Sequence, residues 1–403
     1  MTEENMSKLE ELIEQYCPDG VEYYKIKDVY KRIKGTPITA GKMKEIATPD
    51  GSVRIFAGGK TVIDANEKDI PNANITRVPA VLIQSRGVID AVYYDKPFTF
   101  KNEMWAYTTF NQKSVKYLYY ILKSNIQTFR DAASGMGALP QISLGVTEEF
   151  EIPVPPLPVQ EEIVRILDTF TELQAELQAE LQKRKQQYNY YRDNLLTNFT
   201  TEQNVKEYTL GELGTFTRGN GLQKKDFTKE GIGCIHYGQI YTRFGAFADK
   251  TLTYVNRELA SHLLQVEKGN LVIACTSENV EDICKSVAWL GEENICTGGH
   301  ACVFRHNQNP KYISYFFQTE YFFNQKKKYT YGTKVKDIKP DSIAKIKIPL
   351  PSLKEQERIV SILDNLYTLT TDLTQGLPAE IEKRRQQYEY YRDKLLTFKR
   401  KGA

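Results

Sequence analysis

No run of about 18 apolar residues occurs anywhere in the 403-residue chain, which excludes a membrane-spanning helix. The opening stretch from Met1 to Gln15 is polar and Glu-rich, wrong for a signal peptide, so a cytoplasmic location is expected. Cysteine is sparse and scattered (Cys17, Cys234, Cys275, Cys284, Cys296, Cys302), with no paired framework. Only four histidines are present, and none forms a convincing constellation with a nucleophile. "AGGKT" at Ala57–Thr61 imitates the end of a phosphate-binding loop, but Arg54 stands where the first glycine must be. "IFAGGK" misses the Phe-x-Gly-x-Gly spacing of adenosylmethionine-dependent methyltransferases, and neither Asn-Pro-Pro-Tyr nor Asp-Pro-Pro-Tyr occurs. No chemistry and no cofactor of its own are therefore expected. Net charge is also small, at +3, which permits a nucleic-acid partner without demanding one.

Cys296, His300, Cys302 and His306, with Cys284 as a fifth donor, invite a zinc reading. The spacing lacks a Cys-x-x-Cys knuckle, however, and the stretch reads as a strand in which such residues are simply buried. No metal is expected.

What the chain does contain is repetition. "IPVPPLPVQEEIVRILD" from Ile152 and "IPLPSLKEQERIVSILD" from Ile348 agree at eleven of seventeen positions. "KRKQQYNYYRDNLLT" from Lys183 and "KRRQQYEYYRDKLLT" from Lys383 agree at twelve of fifteen. The chain thus reads as two copies of a variable segment followed by a conserved tail. Its segments run 1–151, 152–200, 201–347 and 348–403. The variable segments echo each other faintly: "YKIKDV" from Tyr24 and "YTLGEL" from Tyr208 lie at the same offset as Gly35 and Gly219, and "VKYLYY" from Val115 parallels "PKYISY" from Pro310.

Each variable segment mixes short strand-like runs with turns and a few helices. Ala80–Ser85, Asp90–Tyr94, Asn270–Cys275 and His300–Phe304 read as strands, and "VKYLYYILKSNIQTF" as an amphipathic helix, so an α/β or α+β fold is predicted. The tails read as long helices. In the first, apolar residues fall at Ile163, Ile166, Leu167, Phe170, Leu173, Leu177, Leu181, Tyr188, Tyr191 and Leu195, a coiled-coil stripe. The second repeats the stripe through Leu366, Leu369, Leu373 and Leu377 with four extra residues, a stutter, and Gly376 and Pro378 predict a kink or break there. Two such helices in a duplicated chain are expected to pack antiparallel about a pseudo-two-fold axis, as a ruler holding two readers. "TELQAELQAELQ" at Thr171–Gln182 repeats a four-residue word within that ruler, as if its length were set in fixed steps.

The paired Pro-Leu-Pro…Gln blocks leading into helices that end "QQYNYYRDNLL" and "QQYEYYRDKLL" resemble the DNA specificity subunit of type I restriction–modification enzymes over nearly the whole chain. The resemblance implies two target recognition domains, at 1–151 and 201–347, each reading one half of an interrupted double-stranded DNA site. It implies conserved helices that dock two methyltransferase subunits, joined by endonuclease–translocase subunits. It also associates the tandem word, with Leu173, Leu177 and Leu181 along it, with the unread spacer. Four residues add about 6 Å and about 40° beyond a full turn to a helix, close to the roughly 34–36° of one base pair. A targeting subunit of a methylation-only or related restriction system, and a coiled-coil scaffold that binds no DNA, remain as alternatives.

Base reading needs donors and acceptors that reach groove edges, and cations on phosphates. Candidates in the first half are Lys31, Arg32, Lys34, Arg54, Gln84, Ser85, Arg86, Lys101 and Asn102. In the second they are Arg218, Asn220, Gln223, Lys224, Lys225, Tyr241, Arg243, Ser277, Asn279, Lys326, Lys327, Lys328 and Tyr329. The near-identical Tyr190, Tyr191, Arg192 and Tyr390, Tyr391, Arg392, with Gln160 and Gln356, are assigned to partner docking, because two half-sites need not match.

Overall fold

A computed structural model of the chain describes residues 3–134, 139–199, 205–371 and 376–402. They form two compact units, one of Met1–Leu177 with Ile381–Ala403, the other of Gln178–Glu380. Both are mixed α/β structures. The expected boundary at 200/201 lies outside the described residues.

In the first unit, Lys31–Lys34, Trp105–Thr108, Ala80–Gln84 and Asp90–Tyr94 form, in that order, an antiparallel sheet. Ala80–Gln84 lies centrally and is buried throughout, which is why it reads as an unbroken apolar run. A second sheet places Val53–Phe56 between an antiparallel partner, Val62–Ala65, and a parallel one, Phe98–Phe100. The second unit repeats both. Gly214–Arg218, Ala301–His306, Leu271–Ala274 and Ser286–Trp289 follow the same order, extended by Phe247–Ala248. Ile232–Ile235 lies between antiparallel Thr253–Val255 and parallel Ile295–Thr297.

The faint echo at Gly35 and Gly219 has a steric cause. Each directly follows the outer strand of its sheet, where the backbone passes the end of a strand of the second sheet. A β-carbon at Gly35 would lie 2.1 Å from the carbonyl oxygen of Phe100, and one at Gly219 would lie 2.5 Å from that of Gly298.

The conserved tails hold each unit shut by matching contacts. Strand Tyr23–Lys25 pairs with Glu151–Pro153, and Lys206–Thr209 with Lys347–Leu350. Asn111 caps helix Gln112–Ser124 and Asn309 caps Pro310–Phe316. Tyr117 donates to the carbonyl of Pro153 and Tyr312 to that of Pro349. Lys116 and Tyr120 both bond Asp168; Lys311 and Tyr315 both bond Asp364. Here the likeness of "VKYLYY" and "PKYISY" becomes a repeated Lys–Tyr–Asp clamp between a variable helix and a conserved one.

The first tail is a single helix, Leu157–Thr197, of 41 residues, about 60 Å long. Pro158 sits in its first turn, where no N–H is needed. Ile163, Leu167 and Phe170 share one core with Val115, Leu118 and Ile121 of the variable helix; full burial of such a side chain is worth about 1.5–3 kcal/mol. Along the tandem word, Leu173 and Leu177 are half-buried and Leu181 is buried. The second tail is two helices, Leu353–Thr371 and Leu377–Leu395, with Gly376 before the second and Pro378 in its first turn. Leu373 lies outside the described residues.

The end of the chain completes the first unit. Leu395 and Leu396 enter its core, Tyr388 and Tyr391 pack on Phe170 at 6.2 and 5.8 Å between ring centroids, and Val21 N–H donates to the Lys399 carbonyl. In the second unit, Tyr188 and Leu196 make the corresponding contribution.

Candidate nucleic-acid interface

Lys31–Lys34 is the outermost strand of its sheet, and Lys31, Arg32 and Lys34 are all exposed on it. Arg32 lies 3.6 Å from Glu148, while Lys34 has no ionic partner among the described residues. A groove of about 480 Å³ runs alongside, lined by Arg32, Lys34, Asn74, Asn102 and Trp105. Asn74 was not a sequence candidate. It donates to the Lys34 carbonyl at 2.6 Å, and its N–H to Thr36 Oγ1 at 2.9 Å, which fastens its loop to the outer strand. Lys101 is paired with Glu103 at 2.9 Å, next to exposed Asn102. Arg86 is exposed on its own loop.

Two first-unit candidates, Ser85 and Gln84, are corrected, and a third, Arg54, is held in a part-exposed ion pair. Ser85 is fully buried, its hydroxyl donated to the Glu103 carbonyl, so it has nothing to offer a base. Gln84 is buried and donates to the Gly59 carbonyl at 3.0 Å. Arg54 makes a two-pronged pair with Asp64 at 2.8 and 3.0 Å and lies over the Tyr94 ring. Its hydrogen bonds hold the Asp64 carboxyl below the usual carboxylate range.

At the same corner of the second unit, Arg218 occupies the position of Lys34. It is spent on Asp337, at 3.0 and 2.8 Å, and on the Gly299 carbonyl at 3.1 Å. Beyond it, Asn220, Gln223, Lys224 and Lys225 line an exposed loop. That loop turns through positive φ at Gly221 and again at Leu222, a conformation costly for a leucine, whose side chain is anchored in a small apolar cluster. A ring chain missed by the sequence reading lies close by. His236, Tyr237 and His300 have centroids 4.5 and 4.7 Å apart, and His300 is exposed. Burial, with the nearby charge of Lys224, lowers the His236 pKa. No spacing rule connects residue 236 with 300; adjacent strands bring them together.

Other second-unit candidates divide. Arg243, Lys327 and Lys328 are exposed, and Tyr329 is half-buried. Tyr241 donates to the Thr276 carbonyl at 2.6 Å, and the Asn279 side chain is spent on Asp282, beside half-buried Ser277. Lys326 is corrected. Its ammonium is buried and donates to the carbonyls of Glu281 and Ile283, and burial lowers its pKa.

Among the docking candidates, Gln160 and Gln356 are corrected. Both are buried and act as latches. Gln160 donates to the Pro155 carbonyl at 2.7 Å and accepts from Ser114; Gln356 donates to the Pro351 carbonyl at 2.9 Å and accepts from the Asn309 N–H. Tyr190 and Tyr390 point to solvent, and Tyr191 is exposed. Tyr391 packs on Phe170, while Arg192 and Arg392 lie over Tyr188 and Tyr388.

Among the described residues, no three His, Cys, Asp or Glu side chains gather as a metal site. Cys296 contacts Gly233, His300 bonds Thr276, Cys302 is fully buried, and His306 Nε2 is buried without a partner. No described helix is long and apolar enough to cross a membrane.

Comparison with known proteins places these units. Residues 18–184 and 202–383 each match the family model of the type I restriction modification DNA specificity domain. A specificity subunit of a type I restriction enzyme from Escherichia coli is 34% identical over 295 residues, 72% of either chain. A putative type I specificity subunit from Mycoplasma pneumoniae is 30% identical over 70% of this chain and 82% of its own. Among solved structures, the type I restriction–modification S subunit from M. genitalium superposes with a TM-score of 0.52 at 17% identity, over 93% of this chain and 95% of that one. A chain from a study of complex assembly in the type I system gives 0.53 at 15%, over 94% and 98%. These last two likenesses are of fold.

Proposed function

Because the chain belongs to the type I restriction–modification DNA specificity family, we propose that each unit reads one half of an interrupted duplex site through the corner described above. The observation that supports this reading is positional. Both units carry polar and cationic groups at the end of the outer strand and on the facing loop, yet the residue types differ: Lys34 and Asn102 in one, Arg218 and His300 in the other. A shared scaffold with unlike chemistry at one corner is what two different half-sites require. Lys34 there contacts phosphate, Arg218 holds the facing loop through Asp337 and the Gly299 carbonyl, and exposed amides and rings meet base edges. The chain is the targeting subunit; methyl transfer to adenine and ATP-dependent cleavage belong to methyltransferase and endonuclease subunits that assemble on it, and it needs no cofactor of its own. Low net charge leaves part of the phosphate attraction to those partners.

The tandem word sets the spacer on this reading. The test is genome-wide mapping of modified adenines in cells carrying the chain, lacking it, or carrying a deletion of Leu177–Glu180. Loss of a bipartite modified motif without the chain, and a shorter spacer between unchanged half-sites with the deletion, are expected. An unchanged modification pattern in cells lacking the chain refutes the targeting role, and an unchanged spacer refutes the ruler.

A further inference from the structure

The two sheets differ at the edge away from the candidate interface. In the second unit, Ser286–Trp289 is covered by the short parallel strand Phe247–Ala248. Ala288 N–H donates to the Ala246 carbonyl at 3.0 Å and Leu290 N–H to the Ala248 carbonyl at 2.8 Å. The helices grip this strand as well. Ala246 N–H donates to Tyr367 Oη at 3.1 Å, and the Lys311 ammonium lies 3.9 Å over the Phe247 ring.

In the first unit, the equivalent strand Asp90–Tyr94 is outermost. The registers of the two sheets align Tyr93 with Ala288, and hence Asp95 with Leu290. Neither Tyr93 N–H nor Asp95 N–H has a backbone acceptor among the described residues. At the other end the edge is closed, because Asp90 accepts the Ala91 N–H at 2.9 Å and pairs with Lys123 at 2.7 Å. The free seat is therefore two donors wide, the width that Phe247–Ala248 occupies in the other copy. Thr171 stands at the position of Tyr367, and the space opens into a groove of about 390 Å³ between the strand, Tyr119, Tyr120 and the long helix.

We infer that this edge receives a short extended segment of a partner subunit, running parallel to Asp90–Tyr94 as a strand added in trans. Its chemistry follows from the covered copy. Lys116 already lies over the Tyr93 ring, 5.5 Å from its centroid, as Lys311 lies over Phe247. Tyr93 thus fills the aromatic place itself, and the incoming segment carries a small side chain there. Lys116 and Lys123 are neutralised by Asp168 and Asp90, whereas exposed Asp95 and Glu172 have no cation among the described residues. The segment therefore brings a basic residue beside the small one.

The inference rests on the proposed assembly with methyltransferase and restriction subunits, and the test separates the two. Hydrogen exchange is followed at the amides of Tyr93 and Asp95 in the free full-length chain and in the complete complex. At least tenfold slower exchange in the complex is expected. Thr171→Tyr, which fills the groove as Tyr367 does, is expected to weaken assembly at least tenfold with an unchanged melting temperature. Asp95→Pro, which deletes one donor outside the groove, weakens it less. Equal exchange in free and assembled chain overturns the inference, as does full-affinity assembly of Thr171→Tyr. Protection that grows with concentration of the free chain assigns the seat to a second copy and overturns the partner. Failure of the unaltered chain to assemble at all overturns the proposed function instead.

Discussion

Lys34 and Arg218 stand at the same position of two copies of one sheet, and they are used in opposite ways. Lys34 faces solvent with no ionic partner among the described residues. Arg218 is held between Asp337 and a backbone carbonyl, tying the loop at residues 331–337 to the outer strand. A few steps away the contrast recurs, with exposed Asn102 in a groove on one side and Gly299, followed by the exposed ring of His300, on the other. Duplication has kept the backbone while freeing this corner to differ. The conserved clamp of Lys116, Tyr120 and Asp168, matched by Lys311, Tyr315 and Asp364, shows where difference is not tolerated.

The comparison can be broken most severely by ending the chain at residue 380. That removes Leu395, Leu396 and the Val21–Lys399 bond from the first unit and almost nothing from the second. The first unit is expected to lose 4 kcal/mol or more, on the order of two buried leucines, while the second keeps its unfolding midpoint. Limited proteolysis resolves the two. Gly35→Ala and Gly219→Ala come next, at about 3 kcal/mol, with the larger loss at Gly35, where the clash is tighter; chemical denaturation ranks them.

His306 sharpens the contrast by pH. Burial lowers its pKa to about 4, and the first unit has no histidine at all. A histidine of ordinary pKa near 6.5 in the unfolded chain then takes up a proton that the folded one refuses. The His306 contribution, which the first unit lacks, is expected to cost the second unit about 2–3 kcal/mol as pH falls from above 6.5 towards 4, and His306→Gln removes that part of the slope, leaving the smaller part due to His236. Asp168→Asn and Asp364→Asn should each cost their own unit about 1–2 kcal/mol, because Lys and Tyr both lose an ionised acceptor. The smallest stability effect belongs to Lys34→Ala, near zero, but it lowers the salt slope of DNA binding by about 1. Arg218→Ala instead destabilises its unit by about 1 kcal/mol with little change in that slope.

Much of this architecture was legible because it rests on periodicity and repetition. Asp90–Tyr94 matches its predicted bounds, and the long helix exceeds its predicted stripe by about two turns, most of them at its start. The interface was less so, because a side chain's type does not reveal which way it faces. Lys326 looks like its neighbours Lys327 and Lys328 in "QKKKYT", yet it is the one turned inward, where a helix end meets two carbonyls. Gln160 and Gln356 recur for a reason that lies in a carbonyl five residues back. The covering strand Phe247–Ala248 is two residues long and leaves no period to detect.

Because the near-identical blocks at Lys183–Thr197 and Lys383–Thr397 respectively open the second unit and finish the first, they are natural crossover points for recombination. A gene that exchanged everything between them would inherit a whole foreign second unit while retaining every contact that closes the first. New pairings of half-sites would then arise in single events, with no selection needed to repair the join.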